Sequence, residues 1–319
     1  MSINKDKAMK KVILVVIFIT ITSQLIAISE NAGTTAYNFL NIPIGARGAG
    51  MGNTYTAISN DALAPFWNPA GLVLVRQKLL YATYMNYFAG YNGGAASYTL
   101  PLNETSTLAI FSKFIGVGGI PKTGIDENQQ MVDLGTFGSY DVMLGVSYGK
   151  YISPILNWGV NLKVISETID EYSSQAIAAD VCILHQSPNP NLKIGVSAKN
   201  LGMQLSKFYQ EEEKLPMTFT AGFAYKLNNG VVALDISKPM HGKLYGTIGF
   251  ETVFQDKYIV RAGYRSNAKD WNVGSNIDFL SGISLGAGFL WKDYTFDYAI
   301  NSYGELGFIH QISIGYHFK

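Results

Sequence analysis

From about Lys78 to the C-terminus, apolar residues recur at every second position in short segments, a period that specifies β-strand and excludes long helices. In the clearest segment Tyr294, Phe296, Tyr298 and Ile300 share one face, and Thr295, Asp297, Ala299 and Asn301 share the other. Met217, Phe219, Ala221, Phe223, Tyr225 and Leu227 oppose Thr218, Thr220, Gly222, Ala224 and Lys226 in the same way, as Trp158, Val160, Leu162 and Val164 oppose Gly159, Asn161, Lys163 and Ile165. A soluble sandwich, the main alternative, would turn its second face to water and fill it with charge. Here that face is mostly Gly, Ala, Ser, Thr and Asn, and charged residues are only 15% of the chain against about 25% in an ordinary soluble domain. No stretch after the N-terminus approaches the roughly 20 apolar residues that a spanning helix needs. The pattern predicts an all-β, transmembrane antiparallel β-barrel, apolar outside and small or polar inside.

Turn-forming clusters divide the chain into about fourteen strands. They cover 78–88, 92–101, 105–115, 138–151, 155–168, 173–186, 191–200, 216–226, 230–238, 243–254, 257–265, 282–291, 293–301 and 307–318. An even number returns both barrel ends to one side, as in single-chain bacterial outer-membrane barrels. Connections 116–137, 202–215 and 266–281 are then expected as extracellular loops, with 187–190 and 228–229 as periplasmic turns. All 319 residues fit one barrel plus its N-terminal additions.

Lys5, Lys7, Lys10 and Lys11 precede apolar runs at 12–21 and 25–28, and Ala27-Ile28-Ser29 offers small residues at cleavage positions. Residues 1–29 therefore read as a secretory signal peptide, with Met9 as a second possible start and an uncleaved anchor as the alternative. Removing them takes the formal charge from +1 to −2, leaving no basic patch for nucleic acid. Residues 30–76 form no convincing strand but carry Phe39, Leu40, Met51, Leu63, Phe66 and Trp67, too apolar for a solvated tail. They are expected to pack as a hatch in the lumen of a barrel formed by 77–319. Cys182, the sole cysteine, can form no internal disulfide and lies too far from the signal peptide to carry a lipid anchor.

Gly145-Val146-Ser147-Tyr148-Gly149 and Gly282-Ile283-Ser284-Leu285-Gly286 match an esterase pattern, but both sit inside alternating strands, where a nucleophile elbow needs a strand-to-helix turn. The glycine run at 45–52 lacks a preceding strand and a Gly-Lys-Ser/Thr ending, so it is no phosphate loop. His185, His241, His310 and His317 have no metal-ligand spacing. No catalytic residue, cofactor or metal is expected, and no enzyme. The inward strand positions hold Lys163, Glu167, Asp180, Lys199, Asp235, Glu251, Arg261 and Asp297. Buried charges need partners, so these predict a lumenal network that holds the hatch, with Arg47 and Asp61 as hatch partners; a polar conduction path is the alternative.

Gly45-Ala46-Arg47-Gly48-Ala49-Gly50-Met51-Gly52, Asn60-Asp61-Ala62 and Trp67-Asn68-Pro69-Ala70-Gly71-Leu72 resemble the PorV/PorQ family of outer-membrane proteins, relatives of the FadL-type long-chain fatty-acid transporters. The resemblance continues through Lys199-Asn200-Leu201-Gly202, Leu215-Pro216, Arg261-Ala262-Gly263-Tyr264-Arg265, Asp297-Tyr298-Ala299, Leu306-Gly307 and His310, across the mature chain. It implies a fourteen-stranded barrel with a lumenal hatch that includes Asn68-Pro69-Ala70, in the outer membrane of a diderm bacterium. In the PorV branch it implies binding or shuttling of secreted cargo for type IX secretion machinery. In the FadL branch it implies passive transport of a hydrophobic ligand, with movement around Trp67, Asn68, Pro69, Ala70 and Gly71 opening the way. The polar 125–130 connection gives the protein-binding reading first place. The terminal strand, ending in Tyr316 and Phe318, resembles the aromatic-ended strand read by the barrel-assembly machinery, and outer-membrane lipid is the remaining expected partner.

Overall fold

A computed structural model describes residues 34–319 apart from 209–212, 272–273 and 276; the expected signal peptide lies outside the described residues. The alternating segments become β1 (Leu79–Asn86), β2 (Asn92–Asn103), β3 (Ser106–Ile125), β4 (Met131–Ser153), β5 (Leu156–Ile169), β6 (Tyr172–Gln186) and β7 (Leu192–Ser206). They continue as β8 (Thr218–Lys226), β9 (Gly230–Pro239), β10 (Tyr245–Phe254), β11 (Tyr258–Arg265), β12 (Ile283–Trp291), β13 (Tyr294–Ser302) and β14 (Phe308–His317). Each pairs antiparallel with its neighbours in sequence, and β14 closes onto β1 from Leu79↔His317 to Asn86↔His310. Closure leaves no unpaired edge, as a sheet in hydrocarbon requires.

The two faces match the alternation. On β14 Phe308, Ile312 and Ile314 are exposed outside, while Gln311 and Ser313 are buried inside. Leu144, Leu162, Val164, Leu285 and Tyr298 extend the exposed apolar surface around the wall. In water such a belt would drive aggregation, whereas in lipid it meets a solvent of its own kind. β1 begins and β14 ends at one mouth, together with the short connections at 104–105, 154–155 and 292–293. By the usual arrangement this mouth is periplasmic and the opposite one, with the longer connections, is extracellular.

The largest departure from the strand expectations is at 116–137. Gly118-Gly119 and Pro121 look like breakers, yet β3 and β4 stay paired out to Ile125↔Met131. Register shifts between Val117 and Ile120 and between Pro121 and Thr123 absorb the glycines and the proline as bulges. The expected loop is therefore a two-stranded ribbon rising beyond the wall. The Lys122 ammonium pairs with Asp170 in the β5–β6 turn, and that hydrogen bond holds it above its usual pKa. β7 likewise runs on to Ser206, shortening the expected 202–215 loop, and 266–281 contains the 3-10 turns Ser266–Trp271 and Asp278–Leu280.

A fourteen-stranded tilted wall is about 28 Å across, backbone to backbone, too wide for its own side chains to fill. The N-terminal segment fills it. Thr35 bridges Lys214 at the extracellular mouth, and the chain leaves at the periplasmic mouth, where Arg76 Nη1 donates to the Glu104 carbonyl at 2.6 Å. Between them the segment forms short helices at Ala46–Gly50 and Ala64–Trp67 and a 3-10 turn at Pro69–Leu74. Its Tyr37, Phe39 and Ile44 form one apolar cluster with Met85, Phe111, Ile115 and Met143 of the wall. The core of the molecule thus lies between hatch and wall.

Candidate functional site

The small residues of the hatch mark where backbones meet. A Cβ on Gly48 would stand 2.6 Å from the Trp67 ring. Gly52, at φ +67°, abuts β11 so closely that a Cβ on Gly263 would lie 2.2 Å from the Gly52 nitrogen. The Arg261-Ala262-Gly263 motif therefore alternates an inward guanidinium with an inward gap. Gly263→Ala should displace the 45–52 turn without unpairing β11, because only the hatch can yield. The expected readout is a folded barrel whose hatch is cleaved by protease much faster than in the wild type; equal protection would count against this packing.

Two charged clusters occupy the lumen. In the first, Arg47 grips Glu251 with two bonds of 2.8 Å and reaches Asp61 at 3.1 Å and Asn60 at 2.9 Å. Glu251 also accepts from Arg261 at 2.7 Å, and Arg261 donates to Asp297 at 2.6 Å. Tyr55 adds a hydroxyl donated to Asp61 and a ring 5.3 Å from the Arg47 guanidinium. Expected residues Arg47, Asp61, Glu251, Arg261 and Asp297 thus form one chain from hatch to wall, with Glu251 at its centre. Buried charges so arranged supply register rather than large net stability, since desolvation offsets most of the attraction.

Lys163 and Asp180 pair at 2.6 Å in the second cluster, away from the first. They grip the hatch indirectly: Asn161 donates both to Asp180 and to the Pro65 carbonyl, each at 2.7 Å. Asn68 stands under this region, its amide donating to the Thr56 and Ile183 carbonyls and its oxygen accepting from Ala70 N–H. Pro69, Ala70 and Gly71 are buried against β4 and β5, where a Cβ on Gly159 would meet Ala70 N at 2.2 Å. Trp67 is buried edge-on to Tyr55. Tyr316 and Phe318 lie with rings 4.7 Å apart at the periplasmic rim.

Asp235, one of the expected inward charges, is a further anchor, and the others fall outside the expected set. Asp235 accepts the N–H groups of Tyr55 and Thr56, both at 3.0 Å, and Thr54 meets Thr247 at 2.8 Å. Gln311 takes the Gly45 N–H and donates to the Pro43 carbonyl, Asn301 donates to the Ala49 carbonyl, and Lys113 donates to the carbonyls of Phe39 and Ile42. Inward polarity on otherwise apolar strands is their only sequence signal. Their partners are backbone groups of an irregular segment, which no periodicity reveals.

A cavity of about 250 Å³ opens toward the extracellular side, touching Ile42, Thr56, Trp67, Lys199 and Asp235. Another of about 400 Å³ opens below it among Arg47, Ile58, Asn60, Lys193 and Glu251. Adjacent residues Thr56 and Ala57 face the two, so the 53–58 turn is the partition between them. A larger apolar hollow of about 1010 Å³ lies on the outer face of β1–β7, where lipid covers the wall.

Ser147 and Ser284 sit mid-strand in β4 and β12, with no strand-to-helix turn. Among the described residues no group of three His, Cys, Asp or Glu is placed to hold a metal, and Cys182 is buried.

No family model matches this sequence, and no curated protein does. Solved structures do match in fold. The Pseudomonas putida toluene transporter TodX aligns at 12% identity and TM-score 0.57, over 86% of this chain and 97% of its own. The Ralstonia pickettii toluene transporter TbuX aligns at 13% and 0.56 over 86% and 98%, and a Pseudomonas aeruginosa FadL homologue at 10% and 0.55 over 87% and 99%. At such identities the likeness speaks to fold. The chain is thus a closed fourteen-stranded antiparallel barrel of the fold shared by these FadL-like channels.

Proposed function

We propose that this protein is a passive outer-membrane channel for hydrophobic small molecules, kept shut by its N-terminal hatch. The observation that carries this reading is the pair of cavities, one open to each mouth, divided by a single turn at 53–58. The fold shared with toluene transporters supports it, and passage therefore takes first place over the protein-shuttling role implied by the motif resemblance. No chemistry is required of the chain: a solute moves down its gradient once the turn yields.

The gate is assigned to residues 53–58 rather than to the expected 67–71 region. The turn alone divides the two cavities; Asp235, the Thr54–Thr247 contact and close packing against Gly195 of β7 and Gly222 of β8 hold it to the wall. Thr54→Cys with Thr247→Cys should form a disulfide in place of the hydroxyl contact and tie the turn to β10. Cys182, being buried, will not compete. Naphthalene uptake by intact cells carrying the double variant should fall on oxidation to the rate of cells lacking the protein and return on reduction. Uptake indifferent to the lock would sink the assignment.

A further inference from the structure

A third cavity, about 460 Å³, lies beside the hatch at the extracellular mouth. Rings of Tyr37, Phe39, Tyr87 and Tyr91 border it, and Asp141, Glu167 and Glu213 face it. Asp141 and Glu167 are register partners on β4 and β5, where like charges directly opposite destabilise a sheet. Glu167 is partly satisfied by the Tyr37 N–H at 3.3 Å. Asp141 is not: it is 9% exposed, and its Oδ1 is buried with no hydrogen-bond partner. Among the described residues it forms no ion pair, and the neighbouring Lys113 spends its ammonium on the Phe39 and Ile42 carbonyls.

A buried carboxylate with an oxygen left unpartnered and a second carboxylate opposite is costly, and Lys113 answers its charge without bonding to it, so the site is completed by a group that brings positive charge into direct contact. A bare metal ion would want six or more oxygen ligands, and aromatic walls do not supply them. Those walls suit an organic cation, whose charge is attracted to ring faces and whose apolar body fills the rest. The volume lies within the range of small-ligand sites. We propose that this chamber binds an organic cation, an ammonium group on a small apolar body, with Asp141 as its counter-ion and the tyrosine and phenylalanine rings around it. The proposal stands apart from the transport reading, because binding is measured without passage.

The test is calorimetric titration of the purified full barrel in a non-ionic detergent with benzyltrimethylammonium, and separately with 3-phenylpropionate as an anion of similar size. Saturable binding of the cation alone is expected, weakened by about tenfold in Asp141→Asn, a near-isosteric change that removes the charge. Tyr91→Leu, at the rim, should also weaken it and decides the matter if the first variant fails to fold. No saturable binding of the cation, equal binding of the anion, or affinity unchanged in both variants would overturn the proposal.

Discussion

Glu251→Ala should free the hatch from the wall while the barrel stays closed. Among the described residues Glu251 is the sole carboxylate shared by Arg47 and Arg261, taking two hydrogen bonds from the first and one from the second. Its loss leaves Arg47 with only Asp61 and Asn60, and Arg261 with only Asp297. Removing one member of such a buried cluster costs about 3–5 kcal/mol, because the remaining charges stay desolvated and underpaired. The ladder hydrogen bonds of β10 and β11 are backbone bonds and survive, so the loss falls on the docking of the hatch. Proteoliposomes carrying Glu251→Ala should show rapid proteolysis of the N-terminal segment and leak small polar solutes, with Glu251→Gln intermediate. Wild-type protection and wild-type leakage in the alanine variant would show that the cluster does not hold the hatch.

How much of this was legible in the sequence differs from element to element. The barrel was: strict alternation in segments such as 294–301, with small and polar residues opposite the apolar ones, admits few other closed structures, and strand pairing follows chain order throughout. The ribbon at the tips of β3 and β4 was not, because Gly118-Gly119 and Pro121 carry the same local signal in a bulged strand as in a loop. Inward charges could be named from parity alone. Which of them meet could not, since that depends on strand stagger around the barrel and on the path of a segment with no repeat. Asp235 illustrates the limit: its inward position is plain from its neighbours, but its work is to cap two N–H groups more than 170 residues away.

Deleting residues 34–74 with residues 1–33 left in place should give the largest change in permeability. The wall closes by β1 pairing with β14 and does not include the deleted segment, so a folded barrel remains possible. Its interior would lose the Tyr37, Phe39 and Ile44 cluster and the partition between the cavities together, leaving a water-filled bore in place of two blind pockets. Single-channel recording should then show a continuously open, weakly selective conductance where the intact protein shows little. A deletion variant that is folded, as judged by its heat-sensitive electrophoretic mobility, yet no more conductive than the intact chain would refute the hatch as the barrier.

The Gly45 N–H bond to Gln311 and the Ala46 N–H bond to Ser313 join residues 266 and 267 positions apart. Both acceptors sit on β14, the strand that also closes the wall against β1. Residues 45 and 46 therefore find these seats only once β14 is in place, and contacts of such long range are slow to form. Sealing and closure share one late event in folding. An assembly intermediate lacking its final strand has neither a complete wall nor these seats for the plug, so a chain stalled there would be open twice over, at the seam and through the middle.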